Sequence, residues 1–247
     1  MTYDFDISKI SQHVIKYCLD VRPGVHLEQD RVALQNFANW LIERYPALFE
    51  TLLSGPNQCQ VNKTFVLGDG KQAQMSTFVL APRGPVFTVP KRLFLGRPRE
   101  IQTDSFEAEL VESLEKFTAL FGGRVMPRIA IAHELIFDTS EDNSLDLMVE
   151  ALANQAWRED LRNVQIVLEK VISGKHVVLT LRPTFQSQSG GKVSAPTSAK
   201  YGIIVNAEIS VSQAGTSLTG EQIEDVLGFS SFYVPQELVA YLSSGGA

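Results

Sequence analysis

Three segments of the chain read alike: His13-Val-Ile-Lys-Tyr-Cys-Leu-Asp-Val21, Arg128-Ile-Ala-Ile-Ala-His-Glu-Leu-Ile-Phe-Asp138 and Tyr201-Gly-Ile-Ile-Val-Asn-Ala-Glu-Ile-Ser-Val211. Each is rich in apolar and β-branched residues, with polar ones at alternate places, the period-two signature of a half-buried strand. Each runs through a short polar loop into a helical pattern. A strand, loop and helix that recur three times restrict the chain to an architecture in which helices cover sheet, and the alternation gives each strand two chemically different faces.

The segments between them fill in the order. Glu28 to Tyr45 is expected as a helix with an apolar stripe of Val32, Leu34, Phe37, Trp40, Leu41 and Tyr45, closed by Pro46. Ser54-Gly-Pro-Asn57 is a turn, and Gln58–Leu67 with Gln72–Leu80 forms a hairpin. Gly84 to Leu95 is extended, confined to an edge or a bend by its prolines. Asp104 to Phe121 is a second amphipathic helix, stopped by Gly122-Gly123. Ser144 to Trp157 is expected as a further helix. Val164–Ile172 and Lys175–Phe185 then make a hairpin turning at Ser173-Gly174. Gln186 to Lys200, rich in Ser, Gly and Thr, is expected as a mobile loop. Thr219-Gly-Glu-Gln222 fits a capping box for a helix to Leu227, and Pro235 opens a short last helix. The order β-α-β-β-α, β-α-β-β, β-α predicts an α+β fold. Its two related halves, residues 1–125 and 126–247, are each expected as a ferredoxin-like split β-α-β unit with helices on one face of mainly antiparallel sheets.

Composition narrows the function classes. With 247 residues the chain can build a substantial core, and 44% apolar with 20% charged residues is the balance of a soluble globular protein. The acidic start Met1-Thr-Tyr-Asp-Phe-Asp6 lacks a signal peptide's basic and apolar regions, and no apolar run is long enough to span a bilayer. The two cysteines, Cys18 and Cys59, lie in strand patterns, so no disulfide framework is expected and the cytoplasm is the expected compartment. A net charge of −6 argues against non-specific nucleic-acid binding by the molecule as a whole. The charge is segregated, however. Lys71 to Arg99 holds six basic residues and no acidic one, and Glu100 to Glu115 holds six acidic residues and no basic one.

Several local features resemble a family of uncharacterised, sporadically distributed bacterial proteins. They are Arg44-Tyr45-Pro46 with Phe49-Glu50, Phe106–Phe121 followed by Arg128-Ile-Ala-Ile, and Ile203-Ile-Val-Asn-Ala-Glu-Ile209 before a helix. The family carries Asp-x-Asp in its last strand, where this chain has Asn206-Ala207-Glu208. The resemblance implies an architecture and, by analogy, a place in a defence or mobile-element gene cassette. It implies no reaction.

Three candidate sites follow. The polar face of the recurrent strands carries Lys16, Cys18, Asp20, Glu134, Asp138, Asn206 and Glu208. If the strands are neighbours, Asp20, Glu134 and Glu208 converge and can hold a hard divalent cation or act as acid and base. The same residues also suit the solvated face of an antiparallel sheet. The basic stretch Arg83, Lys91, Arg92, Phe94, Arg97 and Arg99 suits a protein partner, suits RNA or single-stranded DNA through phosphate contact and stacking, or pairs internally with the acidic helix after it. The 186–200 loop is the third. His133-Glu134 begins like a zinc motif, but Phe137 holds the second histidine's place; by alternation His133 faces the core as a hydrogen-bonded histidine. Among the remaining histidines, His13, His26 and His176, no Ser/His/Asp or Cys/His set can be assembled, and Gly190-Gly-Lys192 lacks the surroundings of a phosphate loop. No cofactor is expected. The favoured expectation is a binding or adaptor protein that acts through a protein partner. A nucleic-acid-binding module and a metal-dependent enzyme are the alternatives.

Overall fold

A computed structural model describes residues 10–55, 58–66, 72–81, 84–91, 106–138, 165–186, 200–238 and Leu242. The strands are β1 (Ile10–Arg22), β2 (Thr51–Gly55), β3 (Gln58–Val66), β4 (Gln72–Ala81), β5 (Gly84–Lys91), β6 (Val125–Asp138), β7 (Ile166–Ile172), β8 (Lys175–Gln186) and β9 (Lys200–Ser212). The helices are α1 (Arg31–Arg44), α2 (Phe106–Leu120) and α3 (Gly220–Phe232), which runs into a π-helical turn, Tyr233–Leu238. None of these helices is long and apolar enough to cross a membrane.

The fold is α+β, and the nine strands among the described residues join in one antiparallel sheet of order β2-β3-β4-β5-β1-β6-β9-β8-β7. Two halves with sheets of their own were expected. The sheet is continuous because β1 and β6, the strands expected to open the two halves, pair with each other from Ile10↔Phe137 to Arg22↔Val125. Both are apolar on the alternate residues that face the helices, so neither could serve as an edge without exposing core.

That covered face is built in rows. Phe87, Tyr17, Ile131, Ile209 and Val177 lie side by side across five strands, and each is buried. Above them, α3 inserts Ile223, Val226 and Leu227, while α1 inserts Leu34, Phe37, Ala38 and Leu41. Phe37 ties layers together: its ring centroid lies 5.2 Å from Phe78 of β4 and 5.5 Å from Phe117 of α2, both edge-on. Such edge-to-face pairs add roughly 0.5–1.5 kcal/mol beyond area burial.

Local chemistry sets the turns. Ser173 and Gly174 both take positive φ (50° and 76°), as the two-residue β7–β8 hairpin requires. The Thr219 hydroxyl accepts from the Gln222 N–H at 3.2 Å while the Gln222 side chain accepts from the Thr219 N–H at 2.9 Å, so the expected capping box is present. The expected helix over Ser144–Trp157 lies outside the described residues, as does most of the 186–200 loop.

Candidate functional site

The condition attached to the polar face is met: β1, β6 and β9 are adjacent. Register then places the side chains in rows on the side away from the helices. Asp20, Arg128 and Ser212 form one row, Cys18, Ala130 and Ser210 the next, then Lys16, Ala132 and Glu208, then Val14, Glu134 and Asn206. The middle of this surface is made of small side chains, with opposed charges around it.

Those charges are organised in pairs. The Arg128 guanidinium meets Glu208 at 2.7 Å and Asp20 at 3.8 Å, and the Lys16 ammonium meets Glu134 at 3.7 Å. Of the three carboxylates singled out from sequence, Asp20 and Glu208 are brought together around a shared cation, and Glu134 engages a different one. The guanidinium is the cation that Asp20 and Glu208 share. Among the described residues no group of three or more His, Cys, Asp or Glu side chains is placed to hold a metal ion. Arg128 is absent from the polar-face set read from sequence, although its parity with Ala130, Ala132 and Glu134 puts it there. The Cys18 thiol sits in this surface with its pKa pushed up from the usual 9.0, chiefly by burial and then by the Glu208 charge, with Arg128 and Lys16 opposing.

On the covered face lies a second polar group. His13 and His133 are buried, 4% and 2% exposed. Nε2 of His13 and Nδ1 of His133 are 3.0 Å apart, and Nε2 of His133 is 2.6 Å from Oγ of the equally buried Ser230 on α3. The two bonds share one imidazole, so the proton positions are linked. If His13 donates to Nδ1 of His133, then Nε2 of His133 donates to Ser230; if Nδ1 donates instead, Ser230 donates to Nε2. His133 is thus the hydrogen-bonded core histidine that alternation indicates. Its partner Ser230 had no sequence signal, because a small hydroxyl at a helix-packing position resembles any other spacer.

Arg44 and Tyr45 join two helices. The Tyr45 hydroxyl donates to Glu112 Oε2 at 2.6 Å, and Arg44 Nε donates to Oε1 of the same carboxylate at 2.9 Å. One of the acidic residues of α2 therefore serves α1. Of the basic stretch, Lys91 closes β5 with its backbone opposite His13, and Arg83, Arg92, Phe94, Arg97 and Arg99 lie outside the described residues.

At the end of the sheet, β7 presents a different surface. It pairs only with β8 among the described strands, and it exposes Val167, Leu168 and Val171 to 49%, 46% and 68%. Leu53 of β2 is likewise exposed at the opposite edge. No protein-family model matches the chain, and no curated protein is similar to it.

Proposed function

We propose that this chain is a binding or adaptor protein of the cytoplasm, and that its partner is a protein that adds an extended segment to the outer edge of β7, which pairs only with β8 among the described strands. The observation that carries the reading is the exposure of Val167, Leu168 and Val171 on an edge strand. Natural sheets blunt their edges, because the unpaired backbone groups template further pairing. An edge that offers three large apolar side chains as well suits strand addition, in which the backbone supplies affinity and alternate side chains supply specificity. Val167 and Val171 share one face of β7 with Glu169, and Leu168 lies on the other, so a partner strand would be read from both sides.

The polar face supports binding over catalysis in this reading, since its ionic groups engage one another: Arg128 with Asp20 and Glu208, Lys16 with Glu134. The same reading takes the two halves as related ferredoxin-like units. Support comes from strand order in the first unit: β4-β5-β1-β6, with α1 and α2 in the connections, has the order of a split β-α-β unit whose last strand is β6.

The test compares the wild-type chain with a Val167→Glu, Val171→Glu double variant, both positions being open enough for the fold to be kept. Each is used as bait in native lysate with quantitative mass spectrometry, and each is sized by light scattering. The expected result is a stoichiometric protein recovered by the wild type and lost by the variant, at unchanged circular dichroism. Equal recovery by both baits, or a wild type that is a homodimer dissolved by the double substitution, overturns the proposal.

A further inference from the structure

The turn that closes the β7–β8 hairpin fixes which backbone groups of β7 face outward. Ser173 and Gly174 are its two central residues, and both take positive φ. In such a hairpin the flanking residues, Ile172 and Lys175, exchange both of their N–H···O bonds. Bonded pairs then recur at every second residue, so Lys170, Leu168 and Ile166 also turn their N–H and C=O groups toward β8. Val167, Glu169 and Val171 point theirs the other way, to the outer edge.

Side chains divide by the same parity. Leu168 and Lys170 stand opposite Leu179 and Val177, on the face that the helices cover, and Val167, Glu169 and Val171 lie on the open face. Both charges of this edge are accessible. Lys170 is exposed and engages no carboxylate among the described residues. Glu169 approaches the His176 imidazole at 3.6 Å, and its side chain stays 63% exposed. From Val167 to Val171 the edge therefore displays two apolar side chains, an anion, a cation and a further apolar side chain.

A second copy of β7 does not complement that pattern. Residues opposed in an antiparallel ladder are either both bonded or both unbonded. Within β7 of a copy, Glu169 can thus face only Val167, Glu169 or Val171, and Lys170 only residues of its own parity. The register of fullest overlap sets Glu169 against Glu169, and like charges directly opposite are destabilising. The described sheet is antiparallel throughout, which sets the sense in which it is extended. We infer that the segment taken up by the β7 edge runs antiparallel to it and reads, from its N-terminal end, apolar, acidic, basic, apolar, apolar. Its acidic residue then faces Lys170 and its basic residue faces Glu169. The inference rests on strand addition at β7, and gives the partner segment its direction and charge order.

The probes are the capped peptide Thr-Val-Glu-Arg-Leu-Val-Thr and its charge-exchanged form Thr-Val-Arg-Glu-Leu-Val-Thr, added to the full ¹⁵N-labelled chain. The first should give saturable shifts of the Val167, Glu169 and Val171 amides. The second should bind about tenfold more weakly, since two attractive cross-strand pairs become two repulsive ones. Glu169→Lys combined with Lys170→Glu should reverse the preference. N-methylation of the peptide's arginine, whose N–H faces the Glu169 carbonyl, should abolish binding. N-methylation of its leucine, whose N–H points away from β7, should not. No saturable shift with the first peptide, equal or tighter binding of the second, or an unchanged preference in the folded double variant overturns the inference. The wild-type chain with the peptide pair decides the matter if that variant fails to fold. The N-methyl peptides tell the two levels apart. Equal binding of both charge orders, with loss on arginine methylation alone, overturns the charge order and leaves strand addition standing. Equal binding of the two N-methyl peptides overturns strand addition itself.

Discussion

Cys18 shows how one residue can be placed by alternation and still have its chemistry set by neighbours that alternation does not reveal. Its parity with Lys16 and Asp20 puts it on the open face, yet burial comes first among the causes that raise its pKa, and the Glu208 charge from two strands away comes second. A raised pKa means less thiolate at neutral pH than an ordinary thiol holds, and the thiolate is the nucleophile. In a Cys59→Ser background, alkylation of Cys18 by iodoacetamide should be slow at pH 7 and climb only above about pH 9. Glu208→Gln should speed it by removing a raising charge, and Arg128→Gln should slow it further. Reaction at pH 7 at the rate of free glutathione would contradict the placement. The same lesson covers the buried polar residues. Parity alone gives His133 its inward direction. The contact between His13 and His133 depends on a register in which His13 faces Leu135 and Ile15 faces His133, one step apart along the strands, and no reading of a single strand supplies that offset.

Elements are legible where period and end signals agree. The Thr219–Gln222 box begins α3 as its sequence dictates. The end is different: the sequence reading closes the helix at Leu227, but α3 runs through Gly228 to Phe232. A glycine inside a helix costs about 1 kcal/mol, and the burial of Ser230, Val234 and Leu238 beyond it outweighs that cost. β2 escapes notice for the opposite reason: five residues, with Thr51 and Leu53 exposed, carry too short a pattern. Between elements, the joint of α1 and α2 rests on Glu112, whose carboxyl is held below its usual 4.5 by the Arg44 hydrogen bond first and the Tyr45 hydroxyl second. The Tyr45 phenol is pushed up, by burial first and then by the Glu112 hydrogen bond. A depressed carboxyl stabilises the fold above its unfolded value and loses that contribution as pH falls through its lower folded value. Glu112→Gln should therefore flatten the acid limb of the stability curve below about pH 4.5, with the midpoint in urea as the measure. Tyr45→Phe should cost about 1 kcal/mol at pH 7, the usual worth of one such hydrogen bond. An acid limb unchanged by Glu112→Gln would remove the joint from the account of stability.

At the scale of the molecule, pattern gives the recurrence but not its consequence. The expected division after residue 125 falls at the first residue of β6; the parts of the chain before and after it meet along the β1–β6 ladder at the middle of the sheet. The reason lies in long-range pairing: which strand lies beside β1 is decided by which partner buries Tyr17 and Leu19, and Ile131 and Ile129 of β6 stand directly opposite them. A chain joined through its centre in this way should unfold as one unit. Trp40 on α1 reports on the first half, provided Trp157 is replaced by Phe. In that background Ile209→Val removes one methylene from a fully buried position on β9, in the second half. The expected cost is about 0.5–1.5 kcal/mol. If the shared ladder makes the two halves one cooperative system, Trp40 fluorescence and far-ultraviolet circular dichroism should give coincident urea transitions. Both midpoints should then fall together in the variant, although Ile209 and Trp40 lie in different halves. A fluorescence midpoint that stays fixed while the dichroism midpoint falls would mean that the β1–β6 pairing holds two independently stable domains side by side.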